Sequence, residues 1–345
     1  MTTGPPITGG GRHPVLAALG RALRWAVGSL WVRGVATAGL LALVFSQIDW
    51  SELGRALREG RWGYFATAVG LLFVALAIGG LRWHLLLRAA AVPTTPLRTL
   101  HAYAVGIFSN LFLPTSMGGD AARAWMIGRS GPNLVAAAAT VVVDRLSAVA
   151  CLLVLAWVAV AAEPSEIPGE LVIALAVITA VAVVALGLAV VAAGPASARV
   201  ARLVPPRARG PLGEALRATR ASLAPNLRTV QVLALGFVFQ GLVIVELWAL
   251  ARAVRMDLAL ALAAVAVTIV LVVTMIPLSI AGFGLREGGY VLVLGAAGYD
   301  ATQAALLSVL TFVALALASA PGALGLLWPL HGATRGASQP EGRPG

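Results

Sequence analysis

The feature that most constrains this chain is a series of long apolar segments separated by short polar ones. A helix that crosses the hydrocarbon core of a bilayer needs about 20 mostly apolar residues. Segments that meet or approach this length are 32–48, 63–81, 135–162, 171–193, 229–251, 258–276 and 304–328. Two further apolar stretches, 99–113 and 288–298, are shorter or interrupted. The sequence therefore predicts an all-α, polytopic integral membrane protein.

The low charge content excludes other classes of protein. Only 11% of the 345 residues are charged, whereas soluble domains carry about 25%. Soluble enzymes, disordered proteins and nucleic-acid binders do not fit this composition. We expect one transmembrane domain over residues 32–328, preceded by a tail and an interfacial amphipathic helix (1–31) and followed by a second tail (329–345).

The distribution of Arg, the basic residue that replaces Lys throughout, predicts the orientation. Cytoplasmic loops carry an excess of basic residues. The loop 195–228 holds seven Arg and one Glu and is placed in the cytoplasm, whereas 163–170 holds three Glu and no Arg and is placed outside. Both termini are basic and are placed inside. With Arg82 at the cytoplasmic end of the second crossing and 163–170 outside, the chain must cross an odd number of times between them. The shorter apolar stretch there, 99–113, is therefore interpreted as a re-entrant segment. The prediction is eight crossings in a cytoplasmic (inner) membrane.

Two segments rich in Gly and Pro interrupt the apolar pattern. The first runs from Asn110 to Arg123 and the second from residue 276 to Glu287. When they are aligned, both read Pro-x-Ser-x-x-Gly-x-x-x-Arg. The shared positions are Pro114 and Pro277, Ser116 and Ser279, Gly119 and Gly282, and Arg123 and Arg286; Gly118 and Gly284 are additional glycines at the breaks.

The aligned breaks have two interpretations. Gly/Pro-interrupted segments at corresponding positions of two halves point to a transporter binding site. With 38 Gly and 19 Pro in the chain, a chance match is the alternative. The predicted crossings put both breaks on the cytoplasmic side, which would make the repeat parallel. An inverted repeat would mean that one predicted span is miscounted.

Several ionisable residues lie where the apolar pattern predicts membrane. Such residues are costly there and usually face a cavity or one another. Asp120 and Arg123 are three apart and can share a helix face, either as the lining of a headgroup site or as a structural ion pair. The adjacent pair of Asp144 and Arg145 is a secondary candidate, because it could equally be an interfacial anchor.

Glu246 lies more than a turn inside its predicted span and needs a partner or a function. Arg286 or Arg123 is the expected partner. Arg286 and Glu287 follow the second break, where a helix N-terminus with free N–H groups would suit a phosphate.

Motifs of soluble enzymes are absent from the sequence. A Walker A loop is impossible without Lys, and neither His-Glu-x-x-His nor Gly-x-Ser-x-Gly occurs. Four His and one Cys form no metal motif. We therefore expect no enzymatic activity, no cofactor and no bound metal.

The two break motifs, together with the Asp144-Arg145 pair, resemble the flippase-like transmembrane region of lysylphosphatidylglycerol synthase. The resemblance covers approximately residues 32–328. It implies a multi-pass inner-membrane protein that moves a lipid between leaflets. Bifunctional members also carry a soluble domain that transfers lysine from charged tRNA to phosphatidylglycerol. This chain ends about 17 residues after its last span, so lysyl transfer is not expected.

The resulting hypothesis is a translocase for a phospholipid or a lipid-linked headgroup. Arg123 and Arg286 would receive the phosphate, and Asp120, Glu246 and Glu287 would balance those charges or hold a cationic headgroup. Asn110, Ser116 and Ser279 would add polar contacts, while the Pro and Gly residues would shape the breaks.

The expected partners are membrane phospholipids or polyprenyl-linked lipids, without nucleic acid. The alternative function is a non-transporting accessory subunit of a polyprenyl-linked glycosyltransferase of the cell envelope, partnered by that enzyme. A membrane enzyme acting on lipid phosphates ranks third. A hydrophilic cavity lined by Asp120, Glu246 and Arg286 would favour transport, whereas a dry and fully paired cluster would favour a structural role.

Overall fold

The computed structural model describes residues 50–112, 118–129, 132–193, 206–275 and 284–327, together with positions 39 and 42. Within these residues the chain is helical and contains no strand, which confirms the predicted fold class. The helices are α1 (Trp50–Glu59), α2 (Trp62–Ala89), α3 (Pro96–Phe112), α4 (Gly118–Gly128), α5 (Pro132–Ala162), a 3₁₀ turn (Pro164–Glu166), α6 (Gly169–Ala193), α7 (Pro206–Leu223), α8 (Leu227–Ala253), α9 (Leu260–Thr274), α10 (Leu285–Ala296) and α11 (Ala301–Leu327). The two tails, and most of the segment 32–48, lie outside the described residues.

Five of these helices are long and apolar enough to cross a membrane. The qualifying stretches are Trp62–Ala89, Asn133–Ala162, Gly169–Gly187, Leu227–Ala253 and Ala301–Leu324. They correspond to predicted segments. Helix α2, however, continues to Ala89 rather than ending at residue 81. Arg82 therefore lies within this helix, seven residues before its last residue, rather than beyond it.

Helices α2 and α8 run antiparallel and define the two ends of the bundle. The backbone N–H of Arg61, just before α2, donates to the carbonyl of Ala253, the last residue of α8, at 2.8 Å. We call this the Trp62 end, and the opposite end of α2 the Ala89 end. Since only residues 90–95 separate α2 from α3, α3 begins at the Ala89 end.

Helices α3 and α4 form a hairpin. The Arg98 guanidinium near the start of α3 donates to the carbonyl of Met126 near the end of α4, at 3.0 Å. At the other extreme, the side-chain oxygen of Asn110 accepts from the N–H of Gly119 at 2.7 Å. The chain thus returns to the Ala89 end, where α5 begins. At 1.5 Å per residue, the 17 residues of α3 span about 25 Å. This is the hairpin that a re-entrant segment requires.

Helices α9 and α10 form a second hairpin, at the opposite end. The Tyr299 hydroxyl after α10 donates to the carbonyl of Asp257 before α9, at 2.7 Å. Asp257 follows α8 closely, so this hairpin opens at the Trp62 end. Helix α9 has 15 residues and α10 has 12, or about 22 and 18 Å. Each is shorter than a 30 Å core requires, so by length alone neither qualifies as one of the crossings predicted at 258–276 and 288–298.

The two hairpins are inverted with respect to each other. The first enters from the Ala89 end and the second from the Trp62 end, which favours the inverted repeat among the two arrangements that the sequence left open. Each hairpin is preceded and followed by a long helix: α2 and α5 in the first half, α8 and α11 in the second. By length, the spans predicted for the second hairpin are the ones that fall short of a crossing.

The basic segment 195–228, predicted as a loop, contains helix α7. This helix packs against α5 and lies at the Ala89 end, because α8 starts there three residues after α7 ends. The acidic turn with Glu163 and Glu166 follows α5 at the Trp62 end. Basic and acidic segments therefore lie at opposite ends, as the orientation argument requires.

Candidate functional site

Five charged side chains from three helices form one connected cluster beside the first hairpin. We call it the buried charge network. Its members are Arg82 of α2, Asp120 and Arg123 of α4, and Asp144 and Arg145 of α5. Asp120 and Arg123 lie in the first two turns of α4, directly after the break, so the hairpin carries them against the two long helices.

Asp144 is the centre of the network. Its Oδ1 accepts from Arg82 Nε at 3.0 Å and from Arg82 Nη2 at 2.6 Å. Its Oδ2 accepts from Arg123 Nη2 at 3.0 Å. The same Arg82 Nη2 also reaches the Asp144 backbone carbonyl. One carboxylate thus ties α2 and α4 to α5.

Asp120 connects the buried part of the network to Arg145, its most exposed member. Its Oδ1 accepts from Arg123 Nε at 3.0 Å, and its Oδ2 accepts from Arg145 Nε at 2.9 Å. The Arg145 side chain is 36% exposed, whereas that of Arg123 is 1% exposed. Arg145 is therefore the member of the network that a molecule from outside the protein can touch.

Aromatic rings hold Arg123 in place. Its guanidinium lies 4.6 Å from the ring centre of Trp83 and 4.8 Å from that of Tyr103. Such cation–π contacts are strongest where water is excluded. Trp83 is itself fixed, because its indole N–H donates to the Thr140 hydroxyl at 3.1 Å.

The close approach of α3 and α4 depends on glycine. A Cβ on Gly119 would overlap the carbonyl oxygen of Gly106. Without side chains at this crossing, the N–H of Gly119 reaches Asn110 and the first turn of α4 comes deep enough to bring Asp120 to Arg145. The glycines of the predicted break therefore act through packing.

The network has more positive than negative charge. Three Arg face two Asp, which leaves a surplus of one positive charge if all five are ionised. Arg82 Nη1 and Arg123 Nη1 are buried and have no hydrogen-bond partner within the described part of the chain. Such unpaired buried donors are rare in native structures. These two donors are therefore the ones in the network that no described group accepts.

These positions bear on the alternatives left open by the sequence. Asp120 and Arg123 form an ion pair that is shared with two other helices. Asp144 is buried, whereas its neighbour Arg145 is partly exposed. Arg82 was missed as a site residue. The signal was available, because apolar residues 85–87 follow Arg82 and indicate that the helix continues beyond it.

A second charged cluster lies at the N-terminus of α10. Arg286 Nη2 pairs with Glu287 Oε1 at 2.8 Å, and its guanidinium lies 5.1 Å from the ring centre of Phe312 on α11. Glu287 Oε2 accepts from the N–H of Gly284 at 2.6 Å, which caps the helix. Gly284 has a φ of 82°, a conformation that favours glycine. A charged pair therefore sits directly after the second break as well.

Glu246 of α8 belongs to this second cluster through Tyr290 of α10, with which it interacts electrostatically. It is 1% exposed, and its Oε1 has no hydrogen-bond partner among the described residues. The partners expected from the sequence are not found there. Arg123 pairs with Asp120 and Asp144, and the ion pair that the described residues show for Arg286 is with Glu287.

The remaining predicted site residues divide into two groups. Asn110 and Gly118 are at the first break, where Asn110 caps the start of α4. Pro114, Ser116, Pro277, Ser279 and Gly282 lie outside the described residues. Within the described ranges, no group of three or more His, Cys, Asp or Glu side chains is placed to hold a metal ion.

Comparisons with known proteins agree with this architecture. Residues 26–322 match the family described as the lysylphosphatidylglycerol synthase TM region. A UPF0104 membrane protein of Methanothermobacter thermautotrophicus (strain Delta H) is 32% identical over 118 residues, 34% of each chain, so the match spans about a third of that relative. No solved structure matches. Because the family match covers most of the sequence, this multi-pass membrane protein belongs to the lysylphosphatidylglycerol synthase transmembrane-region family.

Proposed function

We propose that this protein moves a phospholipid, or another lipid with a phosphate-bearing headgroup, between the leaflets of the cytoplasmic membrane. The observation that carries the proposal is the surplus of buried Arg in the charge network. Arg82 Nη1 and Arg123 Nη1 donate to no described group. An unmade hydrogen bond of a buried charged group is expensive, and a phosphate oxygen forms charge-assisted bonds with guanidinium.

The path of the headgroup follows from exposure. Arg145 is partly exposed and is bonded to Asp120, which is bonded to Arg123. A phosphate that arrives at Arg145 can displace the Asp120 carboxylate from it and then draw on the donors of Arg123. The headgroup thereby exchanges water for guanidinium, which lowers the cost of a charge inside the membrane.

The inverted hairpins support alternating access to both leaflets. Broken helices in two inverted halves are a known device of transporters, in which one half moves against the other around a central site. The hairpin with the first break enters from the Ala89 end, and the hairpin with the second break enters from the Trp62 end. In each hairpin, charged residues lie at the start of the helix that follows the break. On this proposal the basic Ala89 end, and both chain termini, face the cytoplasm.

The test uses purified protein in liposomes that contain a headgroup-labelled, fluorescent phosphatidylglycerol. A membrane-impermeant quencher added outside removes the outer-leaflet signal, and the slow phase reports movement from the inner leaflet. We expect the wild type to accelerate that phase at least tenfold over protein-free liposomes. Arg145→Gln should lose most of this acceleration, while Arg217→Gln, a change at an exposed Arg of α7, should keep it.

Two outcomes would contradict the proposal. Equal rates with and without the wild-type protein would exclude translocation of this lipid class, and co-purification with a glycosyltransferase would then favour the accessory role. Full activity in Arg145→Gln would mean that the headgroup does not enter through the buried charge network. Folding of the variant is checked by thermal unfolding; Asp120 keeps its bond to Arg123 in this variant.

A further inference from the structure

Glu246 is the one acid of the described charge clusters that lacks an ion-pair partner in the described chain. Asp120 and Asp144 each contact two Arg side chains, and Glu287 contacts Arg286. Glu246 is as buried as they are. An isolated buried carboxylate is far more costly than a neutral carboxyl group, and groups in this situation neutralise by binding a proton.

No described group around Glu246 forms an ion pair with it, so none neutralises its charge in place of a proton. From α10 it faces Tyr290, beside the Arg286–Glu287 pair. From α2, Tyr64 packs on Trp248, two residues beyond Glu246. Helices α9 and α11 have no charged residue.

The buried charged groups on the remaining neighbours of α8 are already paired. On α2, Arg82 lies against Gly236 of α8, ten residues before Glu246, and pairs with Asp144 of α5. Along α8 itself, Arg252 pairs with Asp257. The cation of the second charged cluster is Arg286, and it pairs with its own neighbour Glu287.

The inverted architecture places Glu246 near the counterpart of Arg82, one residue away in the alignment that pairs Pro114 with Pro277. Each residue precedes the first residue of its hairpin, Pro96 or Leu260, by the same number of positions. The first half thus places a permanently charged Arg where the second half places an acid that can be charged or neutral. The first half therefore holds a fixed charge, and the second half holds a side chain whose charge can change.

We propose that Glu246 is a proton-binding site that couples lipid movement to a transmembrane proton gradient. The inference rests on the proposed translocase and adds its source of energy. When the α9–α10 hairpin approaches α8, the carboxylate binds one proton from water on one side and forms an O–H bond. When the hairpin shifts, Arg286 moves from Glu287 toward Glu246, and that proton is released to the other side. One proton crosses per cycle, and no other bond changes.

The experiment repeats the lipid assay with a pH difference imposed across the liposome membrane. For one proton per lipid, each pH unit changes the equilibrium ratio of lipid between the two leaflets up to tenfold. We expect the wild-type rate to change several-fold per unit and to change in the opposite direction when the gradient is reversed. In Glu246→Gln, the ratio of rates with and without the gradient should fall to one. Glu170→Gln, an exposed change at the start of α6, should keep the wild-type ratio.

A second measurement needs no variant. A pH-sensitive dye inside wild-type liposomes should report proton movement when lipid is added to one leaflet, with the sign set by the direction of lipid movement. If the wild type moves lipid but the interior pH stays constant and the rate ignores the gradient, the proton site is refuted and the translocase stands. A gradient response retained in Glu246→Gln would also refute it. If the wild type moves no lipid, the proposed function itself fails.

Discussion

Replacing Asp144 with Asn tests whether the buried charge network holds the first half of the bundle together. The substitution keeps the shape of the side chain and removes its charge. Asp144 accepts three side-chain hydrogen bonds from Arg82 and Arg123. An Asn side chain has a single acceptor oxygen, and its NH₂ group would face one of the two guanidinium groups. The network would change from a surplus of one positive charge to a surplus of two.

The expected cost follows from the number of pairs that one carboxylate serves. Breaking a buried ion pair by removing one partner costs about 3–5 kcal/mol, because the other charge stays buried and uncompensated. Asp144 serves two Arg at once, and Arg123 keeps only Asp120 afterwards. We therefore expect a loss of at least about 3–5 kcal/mol, which corresponds to a decrease in Tm of about 6–20 °C.

The assay is thermal unfolding in a mild detergent, followed by helical circular dichroism. Asp257→Asn is the matched control, since Asp257 is 89% exposed and pairs with Arg252 at the Trp62 end. Its loss should be within about 1 kcal/mol. If Asp144→Asn unfolds at the same temperature as Asp257→Asn, the network contributes no stability. The helices would then be held by packing alone.

Two further predictions concern the packing around the network. Gly119→Ala should destabilise by about 1–3 kcal/mol or more, because its Cβ meets the Gly106 carbonyl. Gly70→Ala in α2, where space is open, should be neutral or stabilising by up to about 1 kcal/mol in the same unfolding assay. Trp83→Phe should cost about 1–3 kcal/mol, since it loses volume and the bond to Thr140. Trp83→Leu should cost about 0.5–2 kcal/mol more, because the cation–π contact also goes; equal losses would contradict that contact.

The apolar pattern predicted the long helices well, because crossing a bilayer imposes a length and a composition on consecutive residues. Helices α2, α5, α6, α8 and α11 all fall on predicted segments. The pattern could not separate a crossing from a hairpin arm. Helix α9 is as apolar as the long helices, and only its length of 15 residues sets it apart from a crossing.

The site was predicted in its residues but not in its connections. The sequence singled out Asp120, Arg123 and Asp144 because ionisable residues are rare in membrane segments. It paired Glu246 with an Arg, since opposite charges usually meet. It placed Arg82 at the cytoplasmic end of a crossing, because an Arg at the end of an apolar run is normally an interfacial residue.

The sequence alone determined the features that depend on residues close together along the chain. These are the membrane class, the long helices with their scarce charge, and the two Gly/Pro breaks. What the tertiary structure decided is which charges meet. Arg82 and Asp144 are 62 residues apart, and their contact exists because the first hairpin and α5 fold back on α2. The same folding leaves Glu246 without a partner in the described chain. Pairing of buried charges is a property of three-dimensional packing, and the local sequence carries no record of it.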